Sequence, residues 1–213
     1  MNKKTETWSI VMVVHDEAEM LERNLPLFLT QVCDRQVDVV VVDDASTDNT
    51  QEVLKRLKAE NPQLYSTFIP QGPYNPLRHR LALSIGVKAA KGDWIVLADI
   101  LLPPRSDQAL EGLAATADDA YGCEVVAAYS GRKSTNVTPY YRTWNTMEDC
   151  ASILRKVERR SRLGHRGRWF KRRRGLYDAV ATPRNRVHDL LHYFDEDLRG
   201  SRLLAVRLKA LFC

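Results

Sequence analysis

Two apolar runs in this sequence end abruptly on acid. "VDVVVVDD" closes on Asp43 and Asp44, and in "GDWIVLADILLPP" Asp99 follows an apolar run and precedes Ile100, Leu101, Leu102 and two prolines. A carboxylate at the end of a strand accepts hydrogen bonds from a base N–H or a ribose hydroxyl, or holds a divalent cation that clamps a diphosphate. Asp43 and Asp44 can also be read as turn formers, but two acids directly after four valines favour a site. After the first apolar run, "VVHDEAEM" carries neither the dinucleotide-binding fingerprint nor the Walker pattern. That argues against a dinucleotide or P-loop site.

The elements that must position these acids are legible as alternating patterns. "WSIVMVV" and "VDVVVV" are continuous, β-rich apolar runs, the mark of parallel strands covered on both faces. Between them Ala18, Leu21, Leu25 and Leu29 form one stripe at helical spacing, and Pro26 is expected to kink or split that helix. Asp48 with Gln51 resembles a capping box for a helix whose inner face is Val53, Leu54 and Leu57. "YSTFIP" predicts a third strand, and "LRHRLALSIGVKAAKG" a helix with Leu81, Ile85 and Ala89 inward. Strand 93–98, a helix from about Ser106 and a strand in "CEVVAAY" complete the alternation. Such an order calls for a parallel, doubly wound sheet with right-handed crossovers. In that architecture ligands sit outside the carboxyl ends of the strands, which is where the acids lie.

Past residue 130 the pattern changes. "SGRKSTNVTPYYRTWNT" is turn-rich and aromatic, with Tyr140, Tyr141 and Trp144 available to floor a ligand or to fill a local core. "MEDCASILRKVERR" reads as helical, and residues 187–213 as one or two amphipathic helices. The expected division is a core over 1–130 and an elaboration of the same domain over 131–213.

Hydrophobic content of 44% and charge of 28% place the 213 residues among ordinary globular chains. The polar start runs straight into a strand, and no apolar run approaches the roughly 18 residues needed to span a bilayer. A cytoplasmic location is the expectation. Cys33, Cys123, Cys150 and Cys213 have no paired spacing and read as free thiols.

Taken in order, "SIVMVVHDEAEMLERNLPLFLTQ", "VDVVVVDDASTDNTQEVLKRL" and "HRLALSIGVKAAKGDWIVLAD" resemble the nucleotide-sugar-binding half of the family 2 glycosyltransferases. The resemblance implies a GT-A fold, a Rossmann-like α/β architecture with a mostly parallel sheet flanked by helices, here with a basic, helical C-terminal elaboration. It implies that the loop His15-Asp16-Glu17 lies beside the nucleotide and that Asp43 or Asp44 receives the base or ribose. Asp99 becomes the first acid of the family's metal-binding Asp-x-Asp triplet, and the second position holds Leu101.

That departure leaves three readings open. One aspartate plus the donor's phosphates can hold Mg2+ or Mn2+ at reduced affinity. Alternatively Arg78 and Arg80 neutralise the leaving diphosphate. In the third reading the chain binds a nucleotide-sugar and catalyses nothing. The family's reaction, transfer from a nucleotide-diphospho-sugar (a UDP-sugar is favoured) to a saccharide or lipid-linked acceptor, also needs a general base. The resemblance points to an acid of "YFDEDLRG", that is Asp195, Glu196 or Asp197.

The net charge of +5 is uneven. Residues 155–174 hold eleven bases against Glu158 alone, so the rest of the chain is acidic. A segment of this kind can attract anionic lipid head groups, cover an acceptor or stay solvated. A contact with the inner face of a membrane is the preferred functional expectation. A grip on nucleic acid is the weaker rival, because the segment has few aromatics and no nucleic-acid fold around it.

Overall fold

The computed structural model describes residues 6–72, 78–120, 124–129, 140–144 and 179–186. Strands β1 (Trp8–Val14), β2 (Val37–Asp44) and β4 (Trp94–Ala98) are the continuous apolar runs of the sequence, and β3 (Leu64–Ile69) follows β2 at the edge. β1 pairs in parallel with β2 from Trp8↔Val37 to Val14↔Asp43, and with β4 from Trp8↔Trp94 to Val11↔Leu97. The full sheet has seven strands in the order β3-β2-β1-β4-β7-β5-β6, where β5 is Val125–Tyr129, β6 Tyr140–Trp144 and β7 Ala179–Pro183. β7 runs antiparallel between β4 and β5, and β6 runs antiparallel to β5. The result is a mixed α/β architecture with a parallel half and an antiparallel half.

The period of two along each strand decides which helix it meets. Ile10, Met12 and Val14 on β1 and Val39 and Val41 on β2 share one core cluster with Leu21, Leu25 and Phe28 of α1 (Ala18–Leu29). The same cluster takes Val53, Leu54 and Leu57 of α2 (Thr50–Glu60) and Leu110, Leu113 and Ala114 of α4 (Ala109–Asp119). On the opposite face Val42 and Ile69 meet Ala82 of α3 (Arg78–Ala89). A Cβ on Gly86 would lie 2.6 Å from a Val11 methyl and 3.0 Å from one of Val42, so only glycine lets α3 approach the sheet so closely.

Four local expectations change. Of the two outcomes expected at Pro26, the split does not occur: α1 runs through the proline as one helix, because Leu21 and Leu25 before it and Phe28 after it are all buried against the same sheet face. That packing outweighs a single missing hydrogen bond. Of the expected inner face of α3, Ile85 packs half-buried against the core, but the fully buried residues are Ala82, Leu83, Gly86 and Val87, and Leu81 is 46% exposed. The capping box does not form: the residue before α2 is Asn49, which makes no side-chain cap, while Asp48 bonds the first N–H of both α1 and α2. Finally, the region after residue 130 contributes strands β6 and β7 to the main sheet. The helices expected over 147–160 and 187–213 lie outside the described residues. No helix among the described residues is long and apolar enough to cross a membrane.

Candidate active site

Strand order reverses at β1, with β2 and β3 laid down on one side and β4 on the other. The crevice of an open sheet forms at such a switch point, off the carboxyl ends of the strands. Here those ends are the loop 15–17 after β1, Asp43 and Asp44 at the end of β2, and Asp99 directly after β4. One strand, β1, separates the two acid groups. Two strand spacings put them about 10 Å apart across the sheet.

The loops on the β2 side are tied to each other by crossed hydrogen bonds. Asp16, in the left-handed region at φ 52°, accepts at Oδ1 from the Thr47 amide at 2.6 Å, the Thr47 hydroxyl at 3.2 Å and the Asp48 amide at 3.3 Å. Its own amide donates to Ser46 Oγ at 2.9 Å. Asp48 returns the link: Oδ2 accepts from the Ala18 amide at 3.1 Å and Oδ1 from the Thr50 amide at 3.0 Å. The Glu17 amide donates to Thr50 Oγ1 at 3.2 Å. The Thr47 amide is the main cause that holds the Asp16 carboxyl below the usual carboxylate range. Desolvation pulls Asp48 upward, yet the bonds from Thr50 and Ala18 outweigh it and its carboxyl also ends lower.

His15 stands exposed at the rim, with Nδ1 2.6 Å from the Asp44 carbonyl oxygen. A carbonyl only accepts, so Nδ1 carries the proton and Nε2 faces Asp16 Oδ2 at 3.5 Å. Asp43 is 1% exposed, and its Oδ1 accepts from the Ser46 amide at 3.0 Å. Its buried Oδ2 has no partner among the described residues. Asp44 is paired through Oδ1 with Arg78 Nε. Arg78 Nη2 also reaches the carbonyl oxygens of Pro70 at 2.9 Å and Ile69 at 3.3 Å, so this guanidinium binds the ends of β2 and β3 to the start of α3. Arg80 lies half-buried in the first turn of the same helix.

On the β4 side, Asp99 heads a tight turn. Its Oδ1 accepts from the Leu101 amide at 2.9 Å and its carbonyl from the Leu102 amide at 3.0 Å. Asn24, buried on the inner stripe of α1, donates through Nδ2 to the Ile100 carbonyl at 2.8 Å. Leu101 is 37% exposed and offers no ligand atom. No group of three His, Cys, Asp or Glu side chains suited to a metal ion exists among the described residues. The donor set therefore fits a divalent cation only as a single carboxylate, with substrate oxygens filling the other positions.

The structure thus brings His15, Glu17, Asp43, Asp44, Arg78, Arg80 and Asp99 to one edge of the sheet. Asp195, Glu196, Asp197 and the basic stretch 155–174 lie outside the described residues. The residues that build the edge include several the sequence did not single out, Ser46 and Thr47 in the crossed loops and Asn24 behind Asp99, and Asp16, expected only as part of the loop beside the nucleotide, is the one that ties the two loops together. For Asp16 a signal exists, since Asp is among the few side chains that tolerate the left-handed region. Asn24 breaks an apolar helical stripe and marks itself in that way.

Comparison with known proteins adds an independent line. No curated protein matches the chain significantly. Among solved structures, S. aureus TarS 1-349 in complex with UDP superposes with a TM-score of 0.57 at 16% identity, over 97% of this chain and 53% of that one. The mannosyltransferase PcManGT from Pyrobaculum calidifontis, in complex with GDP-Man and Mn2+, gives 0.53 at 18% identity, over 88% and 47%. A mycobacterial protein gives 0.51 at 18%, over 84% and 54%. The chain thus spans about half the length of these three structures. At such identities they establish a shared GT-A fold. The sequence pattern described as Glycosyl transferase family 2 matches residues 9–192, a span that runs from β1 through β7 and takes in both acid-tipped strands, and on that match the chain belongs to glycosyl transferase family 2.

Proposed function

We propose that this chain transfers a sugar, with inversion, from a nucleotide-diphospho-sugar to a hydroxyl acceptor in surface polysaccharide or glycolipid synthesis, with a UDP-sugar as the favoured donor. The observation that carries the reading is the gathering of the β1 loop, the β2 acids and Asp99 at the switch point of a family 2 sheet. Solved relatives of the same fold hold UDP, or GDP-Man with Mn2+, which supports a nucleotide-sugar ligand.

In this mechanism Asp43 and Asp44 accept from the N–H and hydroxyl groups of the nucleoside. Arg78 holds Asp44 in place, and His15 and Glu17 line the same side. Oδ2 of Asp43, which has no partner among the described residues, is the acceptor with most to gain, since a buried carboxylate oxygen without a donor is costly. Asp99 faces the diphosphate, and it would be the one protein carboxylate on Mg2+ or Mn2+. A bound cation there would neutralise the charge that builds on the leaving diphosphate. Arg80, in the first turn of α3, is the protein's own cation for that task.

The acceptor oxygen attacks the anomeric carbon as the bond to the diphosphate breaks, and the nucleoside diphosphate departs with the electron pair. An acid of the 195–197 cluster takes the acceptor's proton. Residues 1–130 hold the donor in this scheme, and 131–213 supply the acceptor side. The basic stretch 155–174 keeps the chain against anionic lipid at the cytoplasmic face, near a lipid-linked acceptor.

The test is turnover of a panel of UDP- and GDP-sugars, with and without Mn2+, read as nucleoside diphosphate release. Release that disappears in Asp99→Asn supports transfer. Leu101, at the place of the family's second acid, favours one specific rival, a relative that binds donors without turning them over. Saturable UDP-sugar binding with no release under any condition would establish that rival, and absence of binding would refute both.

A further inference from the structure

We propose that Asn24 is a positioning residue: from the buried face of α1 it fixes the turn that carries Asp99, and so sets how well the site grips a diphosphate. The inference rests on the donor reading above. α1 presents Leu21, Leu25 and Phe28 to the sheet, and Asn24 occupies the same buried stripe at 6% exposure. An amide in that setting is costly unless its donor is satisfied. It is satisfied by one long-range bond, Nδ2 to the Ile100 carbonyl at 2.8 Å, across 76 residues of sequence.

Ile100 is fully buried and sits between the two residues of interest, Asp99 and Leu101. The bond therefore acts on the middle of the turn. On one side the Asp99 carboxylate accepts from the Leu101 amide at 2.9 Å, and on the other its carbonyl accepts from Leu102 at 3.0 Å. The Ile100 carbonyl and the Leu101 amide are two ends of one planar peptide unit, so rotation of the 100–101 peptide would break both the Asn24 bond and the bond to the Asp99 carboxylate, and the latch holds the carboxylate's place as well as the backbone's.

Two features give the latch functional weight. Leu101 supplies no second carboxylate, so among the described residues a cation at this turn would depend on how Asp99 is oriented. In addition, α1 begins directly after the 15–17 loop, whose amides are bonded to the β2 loop. One rigid helix thus sets the spacing between the nucleoside half of the crevice and the diphosphate half.

The experiment compares uridine and UDP binding by calorimetry, with Mn2+ present, for the full chain and two variants. Asn24→Leu removes the latch and keeps the side chain's branching at Cγ. Thr182→Val removes a control bond of the same type, a buried hydroxyl on a carbonyl at 2.8 Å, in β7 beside Ile95 and away from the Asp99 turn. Asn24→Leu is expected to leave uridine affinity within about twofold and to cut the advantage of UDP over uridine about tenfold, the weight of one well-placed hydrogen bond. Thr182→Val should lower the melting temperature without moving that ratio. A ratio unchanged in Asn24→Leu, or changed equally in both variants, overturns the inference while leaving the donor reading intact. A wild-type chain that binds neither ligand overturns both. Should Asn24→Leu not fold, Asn24→Ser, whose hydroxyl is too short to reach Ile100, is held to the same ratio.

Discussion

At the scale of single residues, the acids of this edge divide by what already holds them. Asp16 and Asp48 are consumed by backbone amides, Asp44 by Arg78, and Asp99 gives one oxygen to its own turn. A cation therefore meets few free carboxylate oxygens, which makes position 101 decisive. Leu101→Asp should create measurable Mn2+ affinity without nucleotide, at least about tenfold above wild type by calorimetry; equal affinities would show that the turn does not face a cation site. Asp16 makes a separate prediction through pH. Its carboxyl is lowered in the folded chain, chiefly by the Thr47 amide, so the stability it contributes is present above the ordinary Asp value of about 3.9 and is lost as pH falls through the folded value. Asp16→Ala should therefore lower the melting temperature at pH 6 and flatten its acid decline between pH 5 and pH 3. A parallel decline in both proteins would assign the acid sensitivity to other groups.

At the scale of elements, close packing makes the sharpest demand at Gly86. A methyl there meets Val11 at 2.6 Å and Val42 at 3.0 Å, and both are core strand residues with no room to retreat. Gly86→Ala should cost about 1–3 kcal/mol in urea unfolding despite the helix propensity gained, and a neutral result would mean that α3 is free to shift outward. The same elements show what the sequence can and cannot disclose. β1, β2 and β4 were legible because both faces of each are covered, which leaves an unbroken apolar run. The face of α3 is only partly legible, through Ile85, because the helix packs closest through its small residues, Ala82 and Gly86, and leaves Leu81 outside. β6 and β7 carry no such run: "AVATP" is a strand because β4 and β5 flank it, a pairing between segments more than fifty residues apart. The site follows this division. Acids at strand ends could be placed from the runs they close, whereas the Asp16–Thr47 tie and the Asn24 latch join partners 31 and 76 residues apart.

At the scale of the whole molecule, the sheet couples its most stable strands to the site. β1 is paired along its whole length with β2 and from Trp8 to Val11 with β4, and Trp8 stacks on Trp94 with centroids 5.1 Å apart at the end away from the acids. β3 pairs with β2 alone and exposes Phe68 by 61% and Tyr65 by 46%. Opening should therefore be graded across the sheet. By native-state hydrogen exchange, the amides of Ile10 to Met12 should approach the global unfolding free energy, and those of β3 should open at least about 2 kcal/mol more easily. Donor binding should reach the switch point from both sides. Saturating UDP with Mn2+ should slow exchange at Thr47 and Asp48 beside β1 and at Leu101 and Leu102 beside β4, because ordering the bound nucleotide orders Asp16 and Asp99, whose carboxylates accept from Thr47, Asp48 and Leu101 and whose backbone, at Asp99, accepts from Leu102. Protection confined to residues 47 and 48 would mean that the nucleoside is held and the diphosphate is not, which is the pattern of a chain that binds donors without catalysing their transfer.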